Sequence, residues 1–184
     1  MVDLVGRLQV GFHWRRAPYS DVAWADVTEW WRDPVVLRDL PAAVAGLVPG
    51  SPTLVAGPVS RGSLLGALVA AHLGVGLVEV RKNDRAASGP DPGFVRRALP
   101  GSYHGGGGVM SFRRGLVRPG DRVLCVDDWV ESGTQAEATR DMVLEVGADF
   151  VGTACVVDDI ADTPEGDALR TALGLRALLR AHDL

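Results

Sequence analysis

The 184 residues predict an α/β fold, a doubly wound parallel sheet. Three observations carry this. Short apolar, β-branched runs at 53–57, 77–80, 123–126 and 149–157 alternate with segments of helical period at 63–73 and 134–146. The run at 123–126 is apolar on both faces, as a strand buried between helices is. Polar, glycine-bearing turns follow the first and third runs, at the rim where open α/β sheets bind ligands.

Taken in order, residues 1–52 are the least regular. They hold four of the five tryptophans, Trp14, Trp24, Trp30 and Trp31. Clustered indoles serve core packing, a subunit interface or a ligand platform. Asp33-Pro34 predicts a helix start, because proline suits the first helical turn, with Val36, Leu37, Leu40 and Val44 on the apolar side. Pro49-Gly50-Ser51-Pro52 closes it as a turn. Residues 53–57 read as the first buried strand and 58–62 as a tight loop. The helix at 63–73 is apolar nearly all round, with Gly66, Ala67, Ala70 and Ala71 permitting close approach to a sheet. Strand 77–80 ends in Arg81-Lys82, which either meets an anion in the ligand crevice or starts a solvated loop.

Residues 83–108 are rich in glycine and proline and show little periodicity. A segment this long is a lid over a site or a connector, and the run Gly105–Gly108 would serve a lid as a hinge. His104 within it is a proton-transfer group or an ordinary loop histidine. Residues 109–117 read as a strand leading into the turn at 118–121.

The stretch at 122–135 organises the rest. An apolar strand ends in Asp127-Asp128, and Ser132-Gly133-Thr134-Gln135 then open a helix. Free N–H groups and hydroxyls at a helix N-terminus favour phosphate. Gly147 closes this helix, 149–157 is a strand, and 162–165 enters another helix that Gly174 stops. Residues 175–180 extend that helix or form a last strand.

Composition sets bounds. Apolar content of 47%, charged content of 23% and a net charge of −4 fit one soluble domain, 1–184, and no nucleic-acid footprint. Cys125 and Cys155 fall in buried runs and read as core thiols of a reducing compartment. The sequence shows no signal peptide and no apolar run of membrane-spanning length, so the expected location is the cytoplasm, with no membrane partner.

Strand, Asp127-Asp128, spacer, Ser132-Gly133-Thr134 and helix together resemble the 5-phosphoribosyl-1-pyrophosphate (PRPP) loop of type I phosphoribosyltransferases. Residues 55–66, Val-Ala-Gly-Pro-Val-Ser-Arg-Gly-Ser-Leu-Leu-Gly, look like the pyrophosphate loop of the adenine branch. Residues 73–82 look like its next strand and basic corner, and Ala25-Asp26-Val27-Thr28 through Asp33-Pro34 is similar to its N-terminal segment. The resemblance implies a small N-terminal hood at 1–52 that binds the base, a core at 53–184 and a flexible lid at 83–108. It implies an enzyme of purine salvage that takes PRPP and a purine base, adenine as first guess, with Mg2+, and that works as a homodimer. A protein of the same fold that senses PRPP or a purine without catalysis is the alternative.

The same resemblance assigns roles. Asp127 and Asp128 would hold the ribose hydroxyls directly or through the metal's shell. Ser132, Gly133, Thr134 and Gln135 would wrap the 5′-phosphate, and Ser60, Arg61, Arg81 and Lys82 would meet the pyrophosphate. Trp24 would stack on the base beside Val27. The sequence departs from the branch where Ala-Thr-Gly-Gly-Thr is replaced by Glu131-Ser132-Gly133-Thr134-Gln135, where Ala25 replaces an arginine, and where His104 stands near the lid glutamate. Glu131 resembles the oxopurine enzymes, which place an Asp there near the base. It manages a proton or favours the helix start.

Overall fold

The computed structural model describes residues 4–16, 23–83, 91–100 and 108–184. An N-terminal unit comes first: helix α1 (Leu4–Val10), then the antiparallel pair β1 (His13–Arg16) and β2 (Ala23–Asp26). A 3-10 turn (Thr28–Trp31) leads into helix α2 (Pro34–Ala45), which Asp33 caps by accepting from Val35 N at 2.8 Å. Trp30 is buried and its Nε1 donates to Leu8 O at 2.8 Å, tying the turn to α1.

The main sheet has seven strands: β3 (Leu54–Pro58), β4 (Gly76–Lys82), β5 (Phe94–Leu99), β6 (Gly108–Arg113), β7 (Arg122–Val130), β8 (Asp149–Asp158) and β9 (Leu175–Arg180). Their spatial order is β5-β6-β4-β3-β7-β8-β9. Strands β4, β3, β7, β8 and β9 run parallel; β6 is antiparallel to both β4 and β5. Helices α3 (Arg61–Leu73), α4 (Thr134–Glu145) and α5 (Pro164–Leu173) link the parallel strands. From β3 the chain winds outward through β4, and from β7 it winds the other way through β8 and β9. The strand order therefore reverses between β3 and β7, and a parallel sheet opens its ligand crevice at that point.

The centre is dry. On β7, Leu124 and Val126 join the core under α2 and α3 with Val36, Leu40, Leu65 and Val69. Val123 joins the core under α4 with Met142 and Val143, and Cys125 packs with Ala136, Cys155 and Leu173. Both thiols are free and buried, and burial pushes both well above the usual thiol range.

Three expectations change and one open alternative is settled. Residues 83–108 are not a structureless segment: Phe94–Leu99 forms β5, where Val95 and Leu99 pack under α4 and Arg97 reaches Glu145 at 3.1 Å. The lid expectation otherwise falls on 84–90 and 101–107, His104 included, which lie outside the described residues. The strand expected at 109–117 stops at Arg113, and a 3-10 turn (Arg114–Leu116) follows. Strand β7 does not stop at the carboxylates but runs on to Val130, because β8 pairs with it as far as Val130↔Asp158. Residues 175–180 are strand, paired parallel with β8.

Candidate active site

Two loops meet at the reversal point. After β3 the chain turns through a cis Val59–Ser60 peptide into α3. After β7 it turns through Glu131-Ser132-Gly133 into α4. Pairing of β3 with β7 ends at Ala56↔Cys125, so Asp127 and Asp128 stand beyond the last β3 pair, facing the start of α3.

Arg61, the first residue of α3, brings Nε to 2.8 Å from Oδ2 of Asp128. Asp128 is buried, at 3% exposure, and takes its charge compensation from this guanidinium. Burial pushes the Asp128 carboxyl up, and Arg61 pulls part of that back. Asp127 goes further: burial pushes its carboxyl well above the usual range, and the neighbouring Asp128 charge adds to it. Its Oδ1 also accepts from Asp128 N at 2.9 Å. Two carboxylates held this way are under-neutralised and suit hydroxyl donors or a cation.

The second half of the site is a helix start with open donors. Gly133, the N-cap of α4, sits at φ +72°, and no side chain caps this end. The first-turn N–H groups of an α-helix have no intrahelical partner, so an anion fits here. Ser132 Oγ and Thr134 Oγ1 lie 3.1 Å apart beside them. One cleft is lined by Arg61, Asp127, Trp129, Val130 and residues 131–136. It gathers cation, carboxylate, hydroxyls and helix start.

Glu131 lines this cleft and is exposed, and Gln135 lines it too, its backbone carbonyl accepting from Thr139 Oγ1 at 2.8 Å. Other expected residues do not line it. Ser60 is exposed just before α3, and its carbonyl accepts from Ser63 Oγ at 2.8 Å. Arg81 does not face this cleft. It lines a different concavity with Glu79, Phe94, Ser111 and Arg113, and its Nε lies 2.6 Å from Glu79 Oε2. Lys82 is exposed at the end of β4, with its stem against Gly108.

The aromatic platform also moves. Trp14 pairs with Ala25, and Arg15 pairs with Trp24, across the antiparallel strands. Paired residues share a face, so Trp14 and Ala25 lie on one side and Trp24 on the other. Ala25 packs against the main core and Trp14 meets Phe12 and Trp129, which makes their side the inner one. Trp24 lies on the outer side, about half exposed. Val27 is fully buried in the core. At 0% exposure its side chain has no free surface for a ligand.

Sequence reading missed the aromatic group that does reach the cleft. Trp129 lies 5.7 Å from Phe12, nearly parallel, and 5.9 Å from Trp14, edge-on. An indole directly after Asp127-Asp128 was the available local signal; its partners were not local.

Comparison with known proteins agrees with this geometry. A model of the phosphoribosyl transferase domain matches residues 38–173. The chain belongs to the phosphoribosyltransferase family. Among relatives of this phosphoribosyltransferase, the adenine phosphoribosyltransferase of Synechococcus sp. (strain JA-3-3Ab) is 36% identical over 77% of this chain and 78% of its own. That of Methylobacterium sp. (strain 4-46) is 32% identical over 91% and 83%. The crystal structure of adenine phosphoribosyltransferase from Rhodothermus marinus superposes with a TM-score of 0.76 at 27% identity, covering 96% of this chain and 98% of that one. The family model thus spans both site loops, from α2 to the end of α5.

Proposed function

We propose that this phosphoribosyltransferase joins the 5-phosphoribosyl group of PRPP to a purine base, adenine first among candidates, and releases pyrophosphate, as a step of purine salvage. The observation that carries the reading is the meeting of Arg61, Asp127 and the uncapped start of α4 in one cleft, with Asp128 buried against Arg61 behind it. The relatives named adenine phosphoribosyltransferase supply the base.

The residues divide the work. The first turn of α4 and the hydroxyls of Ser132 and Thr134 bind the 5′-phosphate. Asp127 and Asp128 hold the ribose hydroxyls and so fix the sugar while its C1′–O bond to pyrophosphate breaks. Arg61 and Ser60 meet the leaving group. The base's ring nitrogen bonds to C1′, and its proton passes to an acceptor, a role open to Glu131 at the cleft lip.

Magnesium fits the site. Its acidic pair is under-neutralised, while among the described residues no group of three or more acidic, His or Cys side chains could hold an ion unaided. An ion bound largely by substrate oxygens, with Asp127 and Asp128 behind them, would neutralise charge on the leaving group.

A homodimer is supported by exposed leucines, Leu64 on α3 at 55%, Leu77 on β4 at 37% and Leu116 at 55%. A cytoplasmic location is supported by the two free, buried thiols.

The deciding experiment incubates the protein with PRPP, magnesium and a panel of bases and follows pyrophosphate. Release that depends on one purine is expected. No release with any base, alongside measurable PRPP binding, would leave a PRPP sensor instead.

A further inference from the structure

We propose that Trp129 is the residue that holds and selects the base, and that Asp159 is its positioning residue. The inference rests on the transferase reading and adds the surface that reading lacks. Trp129 lines the cleft beside Asp127 and the 131–135 loop, one residue past Asp128. A base that attacks a sugar held by Asp127-Asp128 has to lie alongside these residues.

The indole is fixed from two sides. Its Nε1 donates to Asp159 Oδ2 at 3.0 Å. Asp159 is fixed in turn, because its backbone N donates to Val130 O at 2.8 Å. Phe12, itself buried at 7% exposure, lies against the indole at 5.7 Å and 13° between planes. Trp14 meets both rings edge-on, at 5.9 Å from Trp129 and 5.2 Å from Phe12. Phe12 occupies one face, so what Trp129 presents to the cleft is the surface the other two rings leave. Turning the indole would break the Asp159 bond and the Phe12 stack together.

A flat apolar surface with no rotamer freedom left to lose favours a flat ligand. Stacking on it is tolerant of edge groups, so it selects planar heteroaromatic bases as a class over saturated or strongly charged nucleophiles. Trp24, on the outer side of its strand, contributes nothing to this wall. The base-facing aromatic surface comes instead from Trp129 on β7, backed by Phe12 and Trp14.

The test measures KM for base and for PRPP separately, with kcat, in Trp129→Leu, Trp129→Phe, Asp159→Ala and Asp159→Asn. Trp129→Leu is expected to raise the base KM by about tenfold or more, the scale of one lost stack, with the PRPP KM within about twofold. Trp129→Phe should recover most of the loss. Asp159→Ala should raise the base KM in the same direction, and Asp159→Asn, whose amide oxygen still accepts, should restore it. Should Trp129→Leu not fold, Asp159→Ala carries the test, since it removes the lock and leaves the Phe12 stack. Base-dependent pyrophosphate release with an unchanged base KM in Asp159→Ala and in the folded Trp129 variants would overturn the inference and leave the transferase reading standing. No base-dependent release by the wild type would overturn both. Equal rises in both KM values would show a merely structural role and also overturn it.

Discussion

A β-carbon placed on Gly62 would lie 2.5 Å from Oδ1 of Asp127. The second residue of α3 therefore sets how closely the helix approaches the acidic pair, and only hydrogen fits between them. Gly62 takes an ordinary helical backbone, so space rather than φ imposes the glycine. Gly62→Ala is expected to displace the Asp127 carboxylate. A misplacement of this kind costs on the order of a hundredfold in kcat/KM. Steady-state rates and a melting curve check it; wild-type kinetics would show that the close approach is idle.

Asp127→Asn combined with Asp128→Asn should abolish turnover without unfolding the chain. The sign of the stability effect follows from the two raised pKa values. A carboxyl whose folded pKa lies above the unfolded one costs stability while ionised. Acidification toward the ordinary 3.8 removes that cost, as the native state takes up protons first. The double variant should therefore be at least as stable as wild type near neutral pH, with the difference closing as pH falls. Thermal melts across pH test the direction, and pyrophosphate release tests the role.

Gly133→Ala joins two faults. Gly133 sits at φ +72°, and a β-carbon there would meet Leu169 Cδ2 at 2.7 Å. The left-handed backbone alone costs a residue with a side chain about 1–2 kcal/mol. A lower melting temperature and a raised PRPP KM are expected together, because Gly133 shapes the start of α4. A variant with unchanged PRPP KM would detach this loop from the phosphate.

Asp26 anchors the N-terminal unit. Its carboxyl is held down at about 2 by the Thr28 hydroxyl, the Thr28 backbone N–H and Arg15, in that order. Its Oδ1 accepts from Thr28 Oγ1 at 2.6 Å and Thr28 N at 3.0 Å. A depressed folded pKa contributes stability that is fully present above the ordinary 3.8 and lost as pH falls through about 2. Asp26→Ala should melt lower than wild type above pH 4, with the gap narrowing toward pH 2. A gap that stays constant with pH would assign the effect to packing.

Local chemistry made much of this legible. Asp33 and Thr163 announce helices because a side-chain oxygen before a proline-led turn caps it, and both do so. The phosphate loop was legible because its strand, carboxylates, glycine and helix are contiguous. β5 was not, since Phe94-Val-Arg-Arg-Ala-Leu carries two adjacent charges and sits among glycines and prolines. Its strand form depends on pairing with β6 and cover from α4. For 175–180 the pattern fitted helix and strand equally, and pairing with β8 decided it. The aromatic wall was hidden because Phe12 and Trp129 meet only in three dimensions. The placement of Trp24 was not legible because sequence alone does not say which face of an antiparallel pair turns inward.

The polar contacts of the N-terminal unit close largely on themselves. Arg7 pairs with Asp33 at 2.7 Å, Arg15 with Asp26 at 3.1 Å, and Trp30 binds the carbonyl of Leu8. The residues proposed to bind phosphate, Arg61, Ser132 and Thr134, come from later in the chain, at the starts of α3 and α4. The unit's apolar side chains instead share the main core, where Leu8, Phe12, Val27 and Trp30 pack with Leu65, Leu124 and Val126; recombination that swaps 4–33 must therefore bring core partners on α3 and β7 with it, while the sugar-phosphate residues can stay as they are. In a laboratory lineage, new base preferences should accumulate in this segment and at Trp129, and the acidic pair should stay fixed.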